Sequence, residues 1–356
     1  MKKHKLEKIL LIQTAFIGDV ILTTPMIAAL KKHLPHVKLT VMVKPEAVSL
    51  LSNNPHLNDL IVIDKGGEHK GLSGMIAMIR QIRKRKFNVI LSPHQSHRTG
   101  LISMFSGALL RVGYKSAGFA LLAYNKRLIR HPEMPEIKRL LKFLDESIAP
   151  GTEFESVKPQ LFETEKSKEQ AVDLLSMIQA KKPILLAVSS VWPTKRWTPW
   201  GFAELAGMLV KKYKTQIILI GSKGDMEISR DVMNFVNLLL PENIKDKIHD
   251  RCGKTNLQGL YSLMKKSMLL VSNDSAPVHF ASAANIPVVA VFGPTVASLG
   301  YAPISPNSAV AQLEDLECRP CGTHGARECP TGHFRCMKSL TANEVMEKVD
   351  LVVVGS

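Results

Sequence analysis

Three polar clusters in this chain of 356 residues combine side chains that could hold phosphate, grip a sugar and move a proton. The first is Asn273-Asp274-Ser275, set between the apolar runs Leu269–Val271 and Val288–Phe292. Asn, Asp and Ser supply turn and N-cap chemistry, and Pro277 suits a first helical turn because its missing N–H would have had no partner there. Free N–H groups at a helix start form an anion site, and Asp274 beside them can hydrogen-bond a sugar or ribose hydroxyl. The competing reading is a plain capped crossover helix. The second cluster is Ser189–Trp200, SSVWPTKRWTPW, which holds all three tryptophans of the chain. Ser189 and Ser190 can donate to phosphate oxygens, and a lysine such as Lys195, beside Arg196, would neutralise charge on a leaving diphosphate. A basic pair among packed aromatics is the alternative. The third is Thr14-Ala15-Phe16-Ile17-Gly18-Asp19. Gly18 lets backbone approach a ligand, and Asp19 at a helix start could act as a general base on an attacking hydroxyl, or simply cap the helix.

Two further groups of residues are read with alternatives. Asp225 and Glu227 follow an apolar run and Gly221-Ser222, where a carboxylate can take ribose hydroxyls or merely sit solvated at a helix start. The cysteines Cys318, Cys321, Cys329 and Cys336 have His324 and His333 nearby. Cys-x2-Cys is a metal-type spacing, but the second pair is too far apart for an ordinary zinc ribbon; a thiol-lined loop fits as well. No metal and no cofactor is assigned.

The elements needed to position these residues alternate. Glu7–Gln13, Lys38–Val43, Leu60–Ile63 and Asn88–Leu91 read as strands, with helices from about Asp19 to Leu34 and over Leu72–Lys86. After an acidic, proline-containing stretch over 151–168 the alternation restarts. Ile184–Val188 and Gln216–Ile220 are strands, Pro199–Tyr213, Met226–Leu240 and Leu257–Lys266 are helices, and Thr341 with Glu344 caps a last helix. Strands alternating with helices predict α/β domains with doubly wound parallel sheets. The expected division is 1–165, 166–340, and a C-terminal helix in 341–356. Neither half shows G-x-G-x-x-G after its first strand, and G-x-x-x-x-G-K-[ST] is absent, which argues against a dinucleotide-dependent dehydrogenase or a P-loop NTPase.

The net charge is +16. Residues 1–150 hold 24 Lys/Arg against 10 Asp/Glu, and residues 151–356 hold 23 against 21, so the excess sits in the first half. An anionic partner is expected there: nucleic acid, an acidic membrane surface or a phosphorylated substrate. The basic start and apolar run that follows imitate a secretory signal, but Asp19 interrupts the run and no A-x-A-like site follows. No run of 18 apolar residues occurs. The expectation is a cytoplasmic chain, at most peripheral on the inner face of the membrane, with five cysteines that do not form a disulfide framework.

Four segments taken together, IGDVILTTP (17–25), WPTKRWTPWGFAELA (192–206), SNDSAPVHFASAANIPVVAVFGPT (272–295) and CRPCG…CPTGHFRCM (318–337), resemble glycosyltransferase family 9. These are the ADP-heptose:lipopolysaccharide heptosyltransferases, and the cysteine-rich tail is most similar to their heptosyltransferase II branch. The resemblance implies a GT-B fold of two Rossmann-like domains facing a cleft, the first for acceptor and the second for donor. It also implies inverting, metal-independent transfer from ADP-heptose to the phosphorylated glycolipid of the lipopolysaccharide inner core. In that reading Asp19 matches the general base and Lys195 the residue neutralising the diphosphate, with Ser190 nearby. Asp274 matches a donor-binding aspartate, the N–H groups of Ser275 and Ala276 a diphosphate cradle, His279 follows on the same helix, and Asp225 matches a ribose carboxylate. The chain has Ser275-Ala276-Pro277 where relatives often carry Thr-Gly. A GT-B nucleotide-sugar epimerase would instead turn over donor without acceptor. A nucleic-acid-binding protein is the reading from a different class, and aromatic content of 6% with no nucleic-acid module speaks against it.

Overall fold

The computed structural model describes residues 6–152, 154 and 158–354. It divides into two compact units, Met1–Phe162 and Glu163–Ser356. The first contains β1 (Lys8–Ile12), α1 (Ile17–His33), β2 (Lys38–Val43), α2 (Val48–Leu51), β3 (Asp59–Val62) and α3 (Gly71–Arg85). It continues with β4 (Val89–Ser92), α4 (His97–Phe105), β5 (Leu110–Tyr114), α5 (Ala120–Ala123), β6 (Lys126–Leu128) and α6 (Glu136–Ile148). All its strands pair in parallel in the order β3-β2-β1-β4-β5-β6. Residues alternate between the two faces of β1, and both faces are covered. Ile9 and Leu11 pack with Met26, Ile27, Leu30, Phe143 and Leu144 from α1 and α6. Leu10 and Ile12 pack with Met78, Ile82 and Ile102 from α3 and α4.

The second unit contains α7 (Glu165–Met177), β7 (Ile184–Ala187), α8 (Pro199–Tyr213), β8 (Ile217–Ile220), α9 (Met226–Leu239), α10 (Glu242–Lys245) and β9 (Ile248–Asp250). Then follow α11 (Leu257–Lys265), β10 (Leu269–Asn273), α12 (Ala276–Ala284), β11 (Val288–Val291), β12 (Ser308–Ala311), α13 (Arg335–Lys338) and α14 (Ala342–Val354). Its sheet is again all parallel, in the order β12-β11-β10-β7-β8-β9. Leu186, Val188, Leu219, Val271 and Val291 share one core with Phe202, Leu205 and Leu209 of α8 and with Val345 and Val349 of α14. Trp197 is sealed in that core, its indole N–H donating to Leu340 O at 3.0 Å.

Each sheet has its first strand in the interior, with the chain moving outward on one side and then crossing to the other. The strand order therefore reverses between β1 and β4 in the first unit and between β7 and β10 in the second. Loops at the C-terminal ends of strands flanking such a reversal diverge and leave a crevice for a ligand.

Two sequence expectations are adjusted. Helix α1 starts at Ile17, so Asp19 is its third residue and not its first. The connecting stretch expected over 151–168 lies partly outside the described residues, at 153 and 155–157, and its end is already helical, because Thr164 and Ser167 cap α7. The first five residues of the basic N-terminus, and 355–356 of the C-terminal segment, also lie outside the described residues. Among the described residues no helix is long and apolar enough to cross a membrane.

Candidate active site

In the second unit the reversal point carries a fixed cation–anion pair. Asp274 follows β10, and its backbone N–H is tied to Val291 O of β11 at 2.9 Å. Its Oδ2 accepts from Lys195 Nζ at 2.5 Å and from Thr295 Oγ1 at 2.6 Å. Both ions of the pair are nearly buried, with side chains 12% (Lys195) and 8% (Asp274) exposed. The neighbouring Asn273 Oδ1 accepts from the Trp197 N–H at 2.9 Å, which pins the Lys195 segment to the end of β10. Helix α12 begins at Ala276 with Ser275 as its N-cap, so the first-turn amides have no partner within the helix. Pro277 contributes no N–H, and Val278 N–H is taken by Ser275 O at 3.1 Å. The amides of Ser275 and Ala276 head the helix beside Asp274.

Ser189 and Ser190 are buried just beyond β7, next to β10 in the sheet. Arg196 Nε donates to Ser190 O at 2.7 Å, drawing the cation turn against the serines. Among the described residues, Ser189 Oγ, Asn273 Nδ2 and His279 Nδ1 are buried polar atoms without a hydrogen-bond partner. His279 lies on α12, fully inside the unit. Burial lowers its pKa to about 4, Asp274 pulling upward and Lys195 downward, so the imidazole is neutral at pH 7.

The cysteine-rich segment braces this site. Thr194 exchanges backbone and hydroxyl hydrogen bonds with Ala326, at 2.7–3.2 Å. Cys321 N–H donates to Pro294 O at 2.8 Å, next to Thr295. Gly325 packs so closely that a Cβ there would stand 2.5 Å from Trp192 Cβ and 3.0 Å from Lys195 Cγ. The cysteines are thiols, with Cys318 Sγ 3.7 Å from His333 Nε2. Among the described residues no group of three or more His, Cys, Asp or Glu side chains is arranged to hold a metal ion.

Asp225 stands apart from this network. It follows β8, one strand further out, and its Oδ2 accepts from Ser222 N–H and Ser222 Oγ, both at 2.7 Å. The carboxylate is committed to capping the single 3-10 turn Lys223–Asp225 that leads into α9, where the sequence allows a ribose contact or a solvated helix-start acid.

In the first unit, Asp19 Oδ2 accepts from Phe16 N–H at 3.1 Å, half of a capping arrangement at the start of α1. Gly18 is buried beneath it. Burial raises the Asp19 pKa to about 6; the Glu136 carboxylate adds to the rise, while the Phe16 and Asp19 amides and Arg130 oppose it. Four residues on, Thr23 Oγ1 accepts from Gln13 Nε2 at 2.9 Å and donates to Asp19 O at 2.7 Å, fixing the turn to the helix. Pro25 lies inside α1 and cannot donate to Ile21 O; Thr24 Oγ1 fills that role at 2.7 Å.

Sequence reasoning missed two side chains that gather on Thr14 beyond the ends of β3 and β4, Lys65 and His94. Thr14 Oγ1 lies 3.2 Å from His94 Nδ1 and accepts from Lys65 Nζ at 2.9 Å. Burial, with Lys65 and Lys44, pushes the His94 pKa down to about 4, so the ring is neutral and its Nδ1 can accept the Thr14 proton. The available signal was positional: Lys65 and His94 each stand just beyond a strand. Thr295 in the second unit was missed in the same way.

Two all-parallel doubly wound units, each with polar groups gathered at its reversal point, are the architecture of the GT-B class. Solved structures share the fold: a family 9 glycosyl transferase from Veillonella parvula (TM-score 0.86, 21% identity, 99% of each chain), and the E. coli ADP-heptose lps heptosyltransferase II (0.78, 22%, 98% of this chain and 99% of that one). The family model described as glycosyltransferase family 9 (heptosyltransferase) matches residues 75–331, and the chain belongs to that family. Among curated proteins it is 25% identical to lipooligosaccharide heptosyltransferase 2 of Haemophilus influenzae, over 96% of this chain and 98% of that protein.

Proposed function

We propose that this glycosyltransferase moves a heptose from ADP-heptose onto the lipopolysaccharide inner core, its acceptor being the phosphorylated Kdo- and heptose-bearing glycolipid. The observation that carries the reading is the Lys195–Asp274–Thr295 network at the head of α12. An ammonium has three donors, and Asp274 engages one, so two remain for diphosphate oxygens. The first-turn amides of Ser275 and Ala276, with the Ser190 hydroxyl, supply neutral donors to the same oxygens. Asp274 faces the heptose hydroxyls. A donor would also relieve the unpaired Ser189 Oγ, Asn273 Nδ2 and His279 Nδ1, each of which costs about 1–3 kcal/mol while unsatisfied. Asp225 takes the ribose only if it gives up its cap.

The chemistry is a single inverting displacement. Asp19 accepts the proton of the acceptor hydroxyl as its oxygen attacks the anomeric carbon, and ADP departs from the opposite face. Lys195 and the α12 amides stabilise the leaving diphosphate, so the step is written without a metal ion. A base with a pKa of about 6 is ionised at pH 7 yet holds a proton better than an ordinary aspartate. The net charge of +14 over residues 1–150 suits an anionic acceptor in an anionic leaflet, reached from the cytoplasmic side.

The test is ADP release from ADP-heptose, with and without Kdo-lipid A carrying one heptose. Acceptor-dependent release supports the transferase and the addition of a second heptose. Release without acceptor would point to the epimerase or a hydrolase, and binding without release would refute this acceptor.

A further inference from the structure

Between Glu68 and Glu133 the chain carries twelve Lys/Arg and not one Asp or Glu. The same stretch exposes apolar side chains that the fold does not use: Phe105 is 46% exposed, Leu109 59%, Phe119 49%, Leu121 80% and Leu122 62%. Their exposure follows from the packing of α5, a single turn. Ala120 and Ala123 face inward, into a small buried cluster with Ala117 and Tyr124 against which Met104 packs. Leu121 and Leu122 are left pointing outward.

Hydrogen bonds to backbone carbonyls and close packing tie the segments that carry these side chains together. Arg83 donates to Phe105 O at 3.4 Å, and Asn125 Nδ2 to Leu109 O at 2.6 Å. Arg127 donates to Leu121 O at 3.4 Å and to Tyr124 O at 3.1 Å. The Phe119 ring meets His97 edge-on at 5.4 Å. A Cβ on Gly100 of α4 would lie 2.5 Å from Gly118 O, so helix and loop are in direct contact. Arg83 and Arg127 thus stand beside the apolar tips, and Lys115, in the loop between β5 and α5, is exposed as they are.

We propose that this face, built from the end of α4, the turn into β5 and the α5 turn, docks on an anionic lipid leaflet. Leucine and phenylalanine tips enter the headgroup boundary while the surrounding cations meet lipid phosphates. Charge complementarity favours this occupant, since the exposed Arg83, Lys115 and Arg127 beside the apolar tips match a continuous anionic sheet. Isolated tips on a one-turn helix also need no shaped partner in a bilayer, whereas a stable protein interface needs a packed complementary core. The proposal deepens the glycolipid reading and rests on it, but vesicle binding is read separately from turnover.

The whole chain is sedimented with vesicles of phosphatidylethanolamine and phosphatidylglycerol, or of phosphatidylcholine alone. Wild type is expected to partition onto the anionic vesicles only. The double variant Leu121→Glu/Leu122→Glu should lose about tenfold or more of that partitioning. Lys115→Glu should lose a few-fold, with the difference disappearing at high salt. Both variants should keep the wild-type melting curve and transfer to a water-soluble acceptor. Equal vesicle binding by the double variant would overturn the proposal, as would no binding by wild type. A double variant that loses only a dimer, with vesicle binding intact, would reassign the face to self-association. Vesicle binding lost in the double variant of a protein that transfers no sugar would support the docking face and sink the transferase reading instead.

Discussion

The two reversal points share one topology and hold charge in opposite ways. In the first unit a lone carboxylate, Asp19, is held by a backbone amide and stands near Glu136, and its proton affinity rises. In the second, Asp274 is locked to Lys195 and Thr295, and the ammonium keeps spare donors. A histidine at each reversal point, His94 and His279, is kept neutral by burial. The same α/β scaffold thus holds a carboxylate of raised proton affinity at one sheet and a cation–anion pair at the other, because the loops after the strands, and not the strands, choose the charges. One arrangement is tuned and weakly tethered; the other is rigid and strongly coupled.

The sharpest way to break that contrast is at the two charges themselves. Asp19→Asn keeps an acceptor for the Phe16 amide, so folding and ADP-heptose binding should hold while turnover drops by about 10²–10⁴. Steady-state rates beside a melting curve decide this, and near-normal turnover would remove Asp19 from the mechanism. Lys195→Met should cost about 10²–10³ in turnover. Unlike the Asp19 change, it should also cost about 3 kcal/mol of stability, since Asp274 is left buried and unpaired. Urea unfolding measures this, and pairing Lys195→Met with Asp274→Leu should restore stability without activity. If Lys195→Met leaves stability untouched, the pair is not locked and the contrast fails.

A pH series sharpens the comparison at smaller amplitude. The Asp19 pKa of about 6 predicts that kcat/KM falls as pH drops through 6, and that Asp19→Asn removes this limb. The stability linkage has the reverse sense. A carboxylate whose folded pKa exceeds its unfolded value of 3.8 favours folding most below that value. That contribution is lost as pH rises through about 6, so wild type should lose of order 1 kcal/mol across this window relative to Asp19→Asn. His279 runs oppositely: its folded pKa lies below the ordinary 6.5, so its contribution is present above that and lost as pH falls towards 4. The smallest expected effect is that of Asp225→Ala, about 1 kcal/mol from the lost cap. A rise in the KM for donor larger than a few-fold would bring Asp225 into the ribose site.

Much of this protein is written locally in its sequence. The alternation of Ile9–Ile12, Ile184–Val188 and Leu269–Val271 with helices of 3.6-residue period determines two parallel α/β units, because each pattern needs only its own neighbours to be read. The caps at Thr198, Asn256 and Thr341 are local in the same sense. Strands β6 (KRL) and β9 (IHD) escaped such reading, since a three-residue edge strand has no apolar run to betray it. The candidate residues Asp19, Lys195 and Asp274 were also legible, each standing where a strand gives way to a helix or turn. What only the tertiary structure decided is who meets whom. Lys195 and Asp274 are 79 residues apart, and Thr14 and His94 are 80. Whether Asp225 grips a ligand or its own helix start, and whether the cysteine-rich segment braces Lys195 or stands alone, depends equally on which strand ends lie side by side. Strand order is set by the packing of whole layers, a long-range property that a residue's own neighbours do not carry.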